Sequence, residues 1–478
     1  MSAPPPAPPR EPGTSARLPV ALLPGAALLG AALLGAALLA GAAGAVGGLL
    51  AVAAVAGVAV LVVTALRPVL AVHIYLVSLP FLSGIERDQL IPVVRPNEAV
   101  LVLVLAGALL GGYVRLLRGG RSGLRAGPLD VPLLVFVLLS TLWPVVSMLL
   151  RGVLPAGSDL MALLPICKLA ALLLLVRLTV RTDRELLRLG RVVLWPAAAV
   201  ATIAVLQTAG FPPVLAALGT LWADGGDAAD LTERGTTTFA SSIATGDYVV
   251  LALALLTALT VRGLVGRTER VVLGLLLAAG VLAAGQFSTW ASAIVVGVVA
   301  LHQNPRLRRT AVRLLPLAGI AVLAGLPAFA ERLSQFGDGF GVPRSWLGRW
   351  DNLTNFYLPR LTDGSFVLGV SPDSVLAAPE TWREVIYLEY GYLQLLWVGG
   401  LPLLAAFAWL SVVVLRESRE QALRTDVTGA YAATLVAAWW MVLLLSVIDI
   451  HLVLRGTGEL LFLLLAIISG RVDVRTHR

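Results

Sequence analysis

The stretch LDVPLLVFVLLSTLWPVVSMLL, Leu129–Leu150, has one charge, Asp130, at its edge and twenty uncharged residues behind it. Arg125 lies before it and Arg151 follows it. A helix rises about 1.5 Å per residue, so twenty residues cover the ~30 Å hydrocarbon thickness of a bilayer. The pattern recurs along the chain. Apolar runs fall near 19–40, 45–66, 68–83, 98–114, 129–150, 160–177, 191–209, 244–261, 271–285, 289–302, 313–330, 386–415, 427–447 and 457–470. They predict an all-α, polytopic integral membrane protein with about 12–14 transmembrane helices. A membrane β-barrel needs alternating segments of about ten residues, and none is visible. Composition agrees: 58% of the 478 residues are hydrophobic and 13% charged, against about 25% charged in soluble domains. The mean hydropathy is +0.88.

Arginine sets the orientation. Twenty-five arginines fall on the side of the termini. Ten fall opposite: Arg87, Arg95, Arg151, Arg234, Arg332, Arg344, Arg349, Arg360, Arg383 and Arg455. Basic loops stay inside, so both termini are expected in the cytoplasm and those ten arginines outside. The net charge of +8 therefore reflects topology, and no nucleic-acid partner is expected. Residues 1–17, rich in Pro and Ala, read as a disordered cytoplasmic tail. The apolar stretch after them is too long for a signal peptide and reads as a retained helix. Residues 18–470 form one transmembrane helical domain in this reading, and 471–478 a second cytoplasmic tail.

Two outward loops are long, about 210–243 and 331–385. A loop of ~50 residues exceeds the usual connection length and is commonly functional or disordered. Residues 336–397 hold 12 of the chain's 31 aromatics, which predicts a folded cap lying on the membrane surface.

The outward arginines are the first candidates for chemistry. Arg234 opens Arg234-Gly235-Thr236-Thr237-Thr238-Phe239, and Arg344, Arg349 and Arg360 lie in the large loop. Their guanidinium forks suit phosphate oxygens. Pairing with Asp338, Asp351, Asp363 or Asp373, or snorkelling at the interface, is the alternative. Glu389 sits where the cap returns to the membrane. Burial there would raise its pKa toward a general base, while pairing with Arg383 would make it structural. Tyr392 shares its face if the helix extends that far.

Lys168, the single lysine, lies mid-span. A charge at that depth is a functional candidate, either attracting a lipid phosphate or bonding to a neighbouring helix carbonyl. Among four histidines only His451 faces outward, which makes it a spare candidate base. Arg95-Pro96-Asn97-Glu98 reads as an ordinary helix start. Cys167 is alone, so no internal disulfide forms. No P-loop, Rossmann glycine pattern or His/Cys metal spacing occurs, so no cofactor, metal or ATP hydrolysis is expected.

From Arg234 to Leu415 the sequence resembles the O-antigen ligase and polymerase superfamily of bacterial envelope glycan enzymes. Residues 234–239 look like that family's Arg-x-x-Gly-x-Phe stretch. Gln286-Phe287-Ser288-Thr289 looks like its Thr-x-Ser-Arg turn, without the arginine. Arg349-Trp350 followed by Val367-Leu368-Gly369-Val370-Ser371-Pro372 resembles a further conserved run. Glu389-Tyr390-Gly391-Tyr392-Leu393, ending in Gly399-Gly400-Leu401-Pro402, resembles another. The resemblance implies a glycosyltransferase of the bacterial plasma membrane. Its donor would be a glycan on a polyprenyl diphosphate, and its acceptor a hydroxyl on a glycan or lipid. Envelope polysaccharide-assembly proteins would be its partners. It also implies Arg234 and Arg349 on the diphosphate and Glu389 as base, with Arg344, Arg360, Trp350, Tyr392 and Lys168 binding substrate. Ligases carry His where Glu389 stands, so the acid here favours a polymerase or an actinobacterial-type ligase. A transporter or flippase for lipid-linked glycans is the other reading; it calls for repeats, interrupted helices and midplane charges.

Overall fold

A computed structural model describes residues 48–91, 93–119, 126–222, 228–305, 307–309, 344–381 and 384–470. The expected spans at 19–40 and 313–330, and both tails, lie outside the described residues. The molecule is an all-α polytopic membrane protein. Its helices are α1 (Gly48–Leu66), α2 (Val69–Leu82), α3 (Pro96–Leu117), α4 (Asp130–Leu150), α5 (Gly157–Thr179), α6 (Asp183–Thr208), α7 (Pro212–Leu221), α8 (Ser242–Val261), α9 (Arg267–Ala284), α10 (Phe287–Gln303) and α11 (Arg344–Asn352). A hairpin of β1 (Val375–Ala378) and β2 (Glu384–Tyr387) follows, then α12 (Gly391–Ala422), α13 (Val427–Leu445) and α14 (Thr457–Ser469). Among the described residues seven helices, α3, α4, α5, α6, α8, α12 and α13, are long and apolar enough to cross a membrane.

The bundle is built around α8, α13 and α14. Every residue of α14 is buried, and most of α8 and α13. Helices α6, α9 and α10 pack on one side of this centre, α5 on another, and α12 carries α4 outside it. Peripheral helices show lipid-facing stripes. On α4, Val131, Leu134, Leu138, Leu142 and Leu149 are exposed while Leu133, Phe136, Ser140 and Pro144 are buried. A soluble protein would not display such a stripe; here it is the face offered to acyl chains. Small residues let helices approach closely. A Cβ on Gly280 of α9 would stand 2.4 Å from the Ala201 Cβ of α6.

Observed helix ends differ from the apolar runs for physical reasons. Helix α6 begins at Asp183 rather than 191, because Thr182 caps it and Glu185 returns the bond to the Thr182 N–H at 2.8 Å. Polar turns carry helices beyond the lipid, so apolarity alone underestimates their length. Helix α12 likewise runs on to Ala422. Its start is Gly391 rather than 386, because 384–387 is drawn into the hairpin, Val375 opposite Tyr387 and Ala378 opposite Glu384. Within the long 210–243 loop the chain also forms α7 and a helical turn at Ala228–Glu233.

The cap is folded. Leu353, Tyr357, Leu361, Ala378, Ile386, Leu388 and Trp397 form a small core of their own. Tyr357 meets Trp397 edge-on with ring centroids 5.1 Å apart. The Tyr357 hydroxyl lies 2.7 Å from the Ser374 carbonyl, and Trp397 Nε1 donates to the Asp373 carbonyl at 2.9 Å.

The cap is also pinned into the membrane domain. Helix α12 breaks at Gly400, with φ 65° and ψ −159°. Pro402 lacks an N–H. The carbonyls freed by the break find other donors. Val370 N–H gives to Trp397 O at 2.6 Å, and Trp143 Nε1 on α4 to Gly399 O at 3.1 Å. Residues 367–370 of the cap sit in the notch, where Arg151 Nη2 donates to Val370 O at 2.6 Å.

Candidate active site

The loops at the cap end of the bundle surround a cavity of about 420 Å³. Its floor is apolar, formed by Phe136 of α4, Met161 and Ile166 of α5, and Leu395, Leu403 and Phe407 of α12. Its polar groups come from six segments: Arg87 and Arg95 from the α2–α3 loop, Ser140 from α4, Ser158 from α5, Asp373 and Ser374 from the cap, Gln394 from α12, and Ser446 and His451 from the α13–α14 loop.

The two arginines are held by carboxylates. Arg87 Nη2 donates to Glu98 Oε1 at 3.0 Å, and Arg95 Nη2 to Glu86 Oε2 at 2.9 Å. The other oxygen of Glu86 is bound by Arg455. Burial pushes the Glu86 carboxyl up, but Arg455 and Arg95 outweigh it and hold it below its ordinary value. Three guanidiniums against two carboxylates leave the cluster about one positive charge in excess. The helix-start reading of Arg95–Glu98 also holds, since Glu98 Oε2 accepts the Arg95 N–H at 3.1 Å. The Arg95 side chain, which the helix-start pattern leaves unassigned, borders the cavity.

His451 is fully buried. Its Nδ1 lies 2.5 Å from Asp247 Oδ2 on α8, and Asp247 Oδ1 accepts the Ser292 hydroxyl of α10 at 2.8 Å. Its Nε2 has no hydrogen-bond partner among the described residues. Burial pulls the imidazole pKa down, but Asp247, which it touches, and nearby Asp449 outweigh burial and leave it raised. Asp449 is itself pushed up by burial, against the opposing pull of Arg349 and His451.

The sequence candidates fall into separate groups. Arg349 and Glu389 are brought together as an ion pair, and Arg349 also reaches Asp449 Oδ2 at 3.5 Å and the Ile448 carbonyl at 3.1 Å. Asp338 and Arg383, the alternative partners of Arg349 and Glu389, lie outside the described residues. Among the described residues the two candidates meet each other and the loop that carries His451. Neither borders the cavity. Arg234 donates to Gln286 Oε1 at 3.0 Å, away from the cavity lining. Lys168 pairs with Glu459 of α14 at 2.6 Å, a side-chain acid rather than a carbonyl. The Tyr392 hydroxyl gives to the Leu443 carbonyl at 2.6 Å, which ties α12 to α13. Arg360 and Trp350 are exposed on the cap, and the Arg344 side chain lies outside the described residues.

Asp247 escaped sequence reasoning because it stands inside an apolar run, where a lone acid signals nothing about its partner. Its depth in a membrane helix was the available signal. Among the described residues no group of three or more His, Cys, Asp or Glu side chains is placed to hold a metal ion. Compared with known proteins, the chain matches no family model and no curated protein.

Proposed function

We propose that this chain is a membrane glycosyltransferase of the O-antigen ligase and polymerase type. In this reading it moves a glycan from a polyprenyl diphosphate to an acceptor hydroxyl, on the outer side of a bacterial plasma membrane with both termini cytoplasmic. The observation that carries the reading is one cavity in which two arginines and a buried histidine stand over an apolar floor. That is the chemistry of an amphiphilic anion whose departure must be stabilised beside an alcohol that must lose a proton. Arg87 and Arg95 suit the diphosphate, and His451 the acceptor hydroxyl. The base is thus His451 rather than Glu389, whose carboxylate is committed to Arg349.

The segments that resemble the family also meet in space, which supports the reading. Residues 367–370 fill the notch at 399–402, Arg349 holds Glu389, and Arg234 holds Gln286. The excess of arginine in the loops at the other end of the bundle supports the orientation.

A transporter is favoured by one observation, the broken α12, since interrupted helices form transport sites. Here cap backbone occupies the break, and the mid-span Lys168 is neutralised by Glu459. The two readings separate on incubating purified protein with lipid-linked oligosaccharide. A ladder of products means polymerase and a single transfer means ligase. Movement of the lipid from one leaflet to the other with no new glycosidic bond would remove the transferase reading.

A further inference from the structure

Ser292, Asp247 and His451 form a hydrogen-bonded line from the interior of the bundle to the cavity. All three residues are fully buried. A carboxylate at this depth is costly unless its oxygens are satisfied. Asp247 spends one oxygen on a hydroxyl at 2.8 Å and the other on an imidazole nitrogen at 2.5 Å. The backbone sets the arrangement. Gly246 packs against Thr289 so closely that a Cβ would fall 2.0 Å from the threonine hydroxyl. Ser292, one turn beyond Thr289, thereby meets Asp247, one residue beyond Gly246.

A lock between α8 and the α13–α14 loop needs only that the two side chains touch. This line has a direction. The inner nitrogen of His451 is taken by a carboxylate, which can only accept, so Nδ1 carries the proton and Nε2 keeps its lone pair. Nε2 is buried with no hydrogen-bond partner among the described residues, and His451 borders the cavity. The loop is held in turn by Arg349 through the Ile448 carbonyl and Asp449.

We propose that Asp247, braced by Ser292, is the positioning residue that fixes His451 with Nδ1–H inward and the Nε2 lone pair available to an acceptor hydroxyl. This rests on the glycosyl-transfer reading of the cavity. In the step it serves, the acceptor O–H proton moves to Nε2 and the acceptor oxygen bonds the anomeric carbon. The bond from that carbon to the diphosphate breaks, its electron pair leaving on the diphosphate oxygen. Asp247 then faces an imidazolium and stabilises it without taking the proton.

The charged groups around His451 are Asp247 from α8, Asp449 on its own loop and Arg349 from α11. Arg87, Arg95 and Asp373 line the same cavity. The base form exists above the raised His451 pKa, so kcat/KM rises with pH through a limb above the ordinary histidine value of 6.5. Removing the Asp247 charge moves that limb to lower pH.

The test uses the full chain in nanodiscs with lipid-linked oligosaccharide. Asp247→Asn is expected to cut kcat by roughly 10²–10⁴-fold with donor KM little changed, and to shift the acid limb down. Ser292→Ala is expected to cost less, on the order of tenfold. Loss of activity in His451→Ala together with an unmoved limb in Asp247→Asn overturns the positioning role and leaves the base reading standing. Full activity in His451→Ala overturns both. Should Asp247→Asn not fold, ¹⁵N spectra of histidine-labelled wild type decide, with His451→Gln assigning the signal. The neutral ring is expected protonated at Nδ1, and protonation at Nε2 overturns the proposal.

Discussion

Replacing Gly400 by alanine tests whether the cap is keyed into the membrane domain. At φ 65° and ψ −159° the residue occupies a region essentially reserved for glycine, and an L residue there costs about 1–3 kcal/mol. The added methyl would stand 2.4 Å from the Val367 carbonyl oxygen and 2.7 Å from the Gly369 nitrogen, both backbone atoms that no rotamer change can clear. The cap must therefore withdraw. Withdrawal breaks the bonds from Val370 and Ser371 N–H to the Trp397 carbonyl, worth about 1 kcal/mol each. The combined penalty is about 3–5 kcal/mol. It is larger than the stability of a surface loop, so the cap rather than the bundle gives way. The assay is limited proteolysis of the detergent-purified protein beside a thermal scan. Cleavage within 344–390 is expected to accelerate by at least ~10²-fold, while the main unfolding transition falls by only a few degrees. Transfer activity should fall too, since Asp373, Ser374 and Val375 line the cavity. Gly274→Ala on α9, where a methyl meets nothing within 4 Å, is the control and should leave cleavage unchanged. Wild-type protease resistance in Gly400→Ala would refute the keyed-cap reasoning.

Arg95→Ala and Arg87→Ala should each reduce kcat/KM by about 10²–10³-fold, with Arg95 giving the larger rise in donor KM; steady-state rates against donor concentration check both. Glu389→Gln should cost less than about tenfold, whereas Arg349→Ala, which releases the His451 loop, should cost at least ~10²; equal losses would return Glu389 to a direct role. Lys168→Met should destabilise by about 3–5 kcal/mol by stranding the buried Glu459, and Lys168→Met with Glu459→Gln should recover part of that in thermal scans. No recovery in the double variant would show that the stranded charge of Glu459 is not the source of the loss.

The membrane fold was legible because lipid imposes a strong rule. Each span must satisfy its backbone internally and present apolar side chains, so runs such as 130–150 declare themselves. The cap was legible as a folded body through its aromatics, and Tyr357 and Trp397 form its core. Its hairpin was not, because Val375–Ala378 and Glu384–Tyr387 are too short to show a period. For the site, single residues had to be judged without their neighbours. For Arg349 and Glu389 the sequence offers both a chemical role and a pairing with other residues, and does not offer the pairing of one with the other that the fold makes. Arg95 read as a helix start, and its backbone is one, yet its side chain belongs to the cavity. The contact of His451 with Asp247 was not legible, because the two lie 204 positions apart. Apolar periodicity predicts which faces meet lipid, and carries no information on which buried acid meets which base.

The charge balance around the cavity bears on how an anion enters it. Arg87 and Arg95 each meet a carboxylate through Nη2, so in the proposed reading a diphosphate finds N–H donors left over and gains the full charge of an arginine only where its carboxylate gives way. The two carboxylates are unequal. Glu98 is 9% exposed and its second oxygen caps α3, so displacing it strips both a buried acid and a helix start. Glu86 is 40% exposed, lies outside the helices and can turn into water at little cost. Its departure frees Arg95 and Arg455 together, and the local charge then rises by one at the moment the ligand brings negative charge in. Arg95 is accordingly the arginine that changes partner, and Arg87 the one that stays paired to Glu98 and has only its remaining N–H groups to offer. This asymmetry is the reason for the larger KM effect expected of Arg95→Ala. Equal KM values in the two variants would mean that both pairs open, and that the helix-start role of Glu98 does not restrain its side chain.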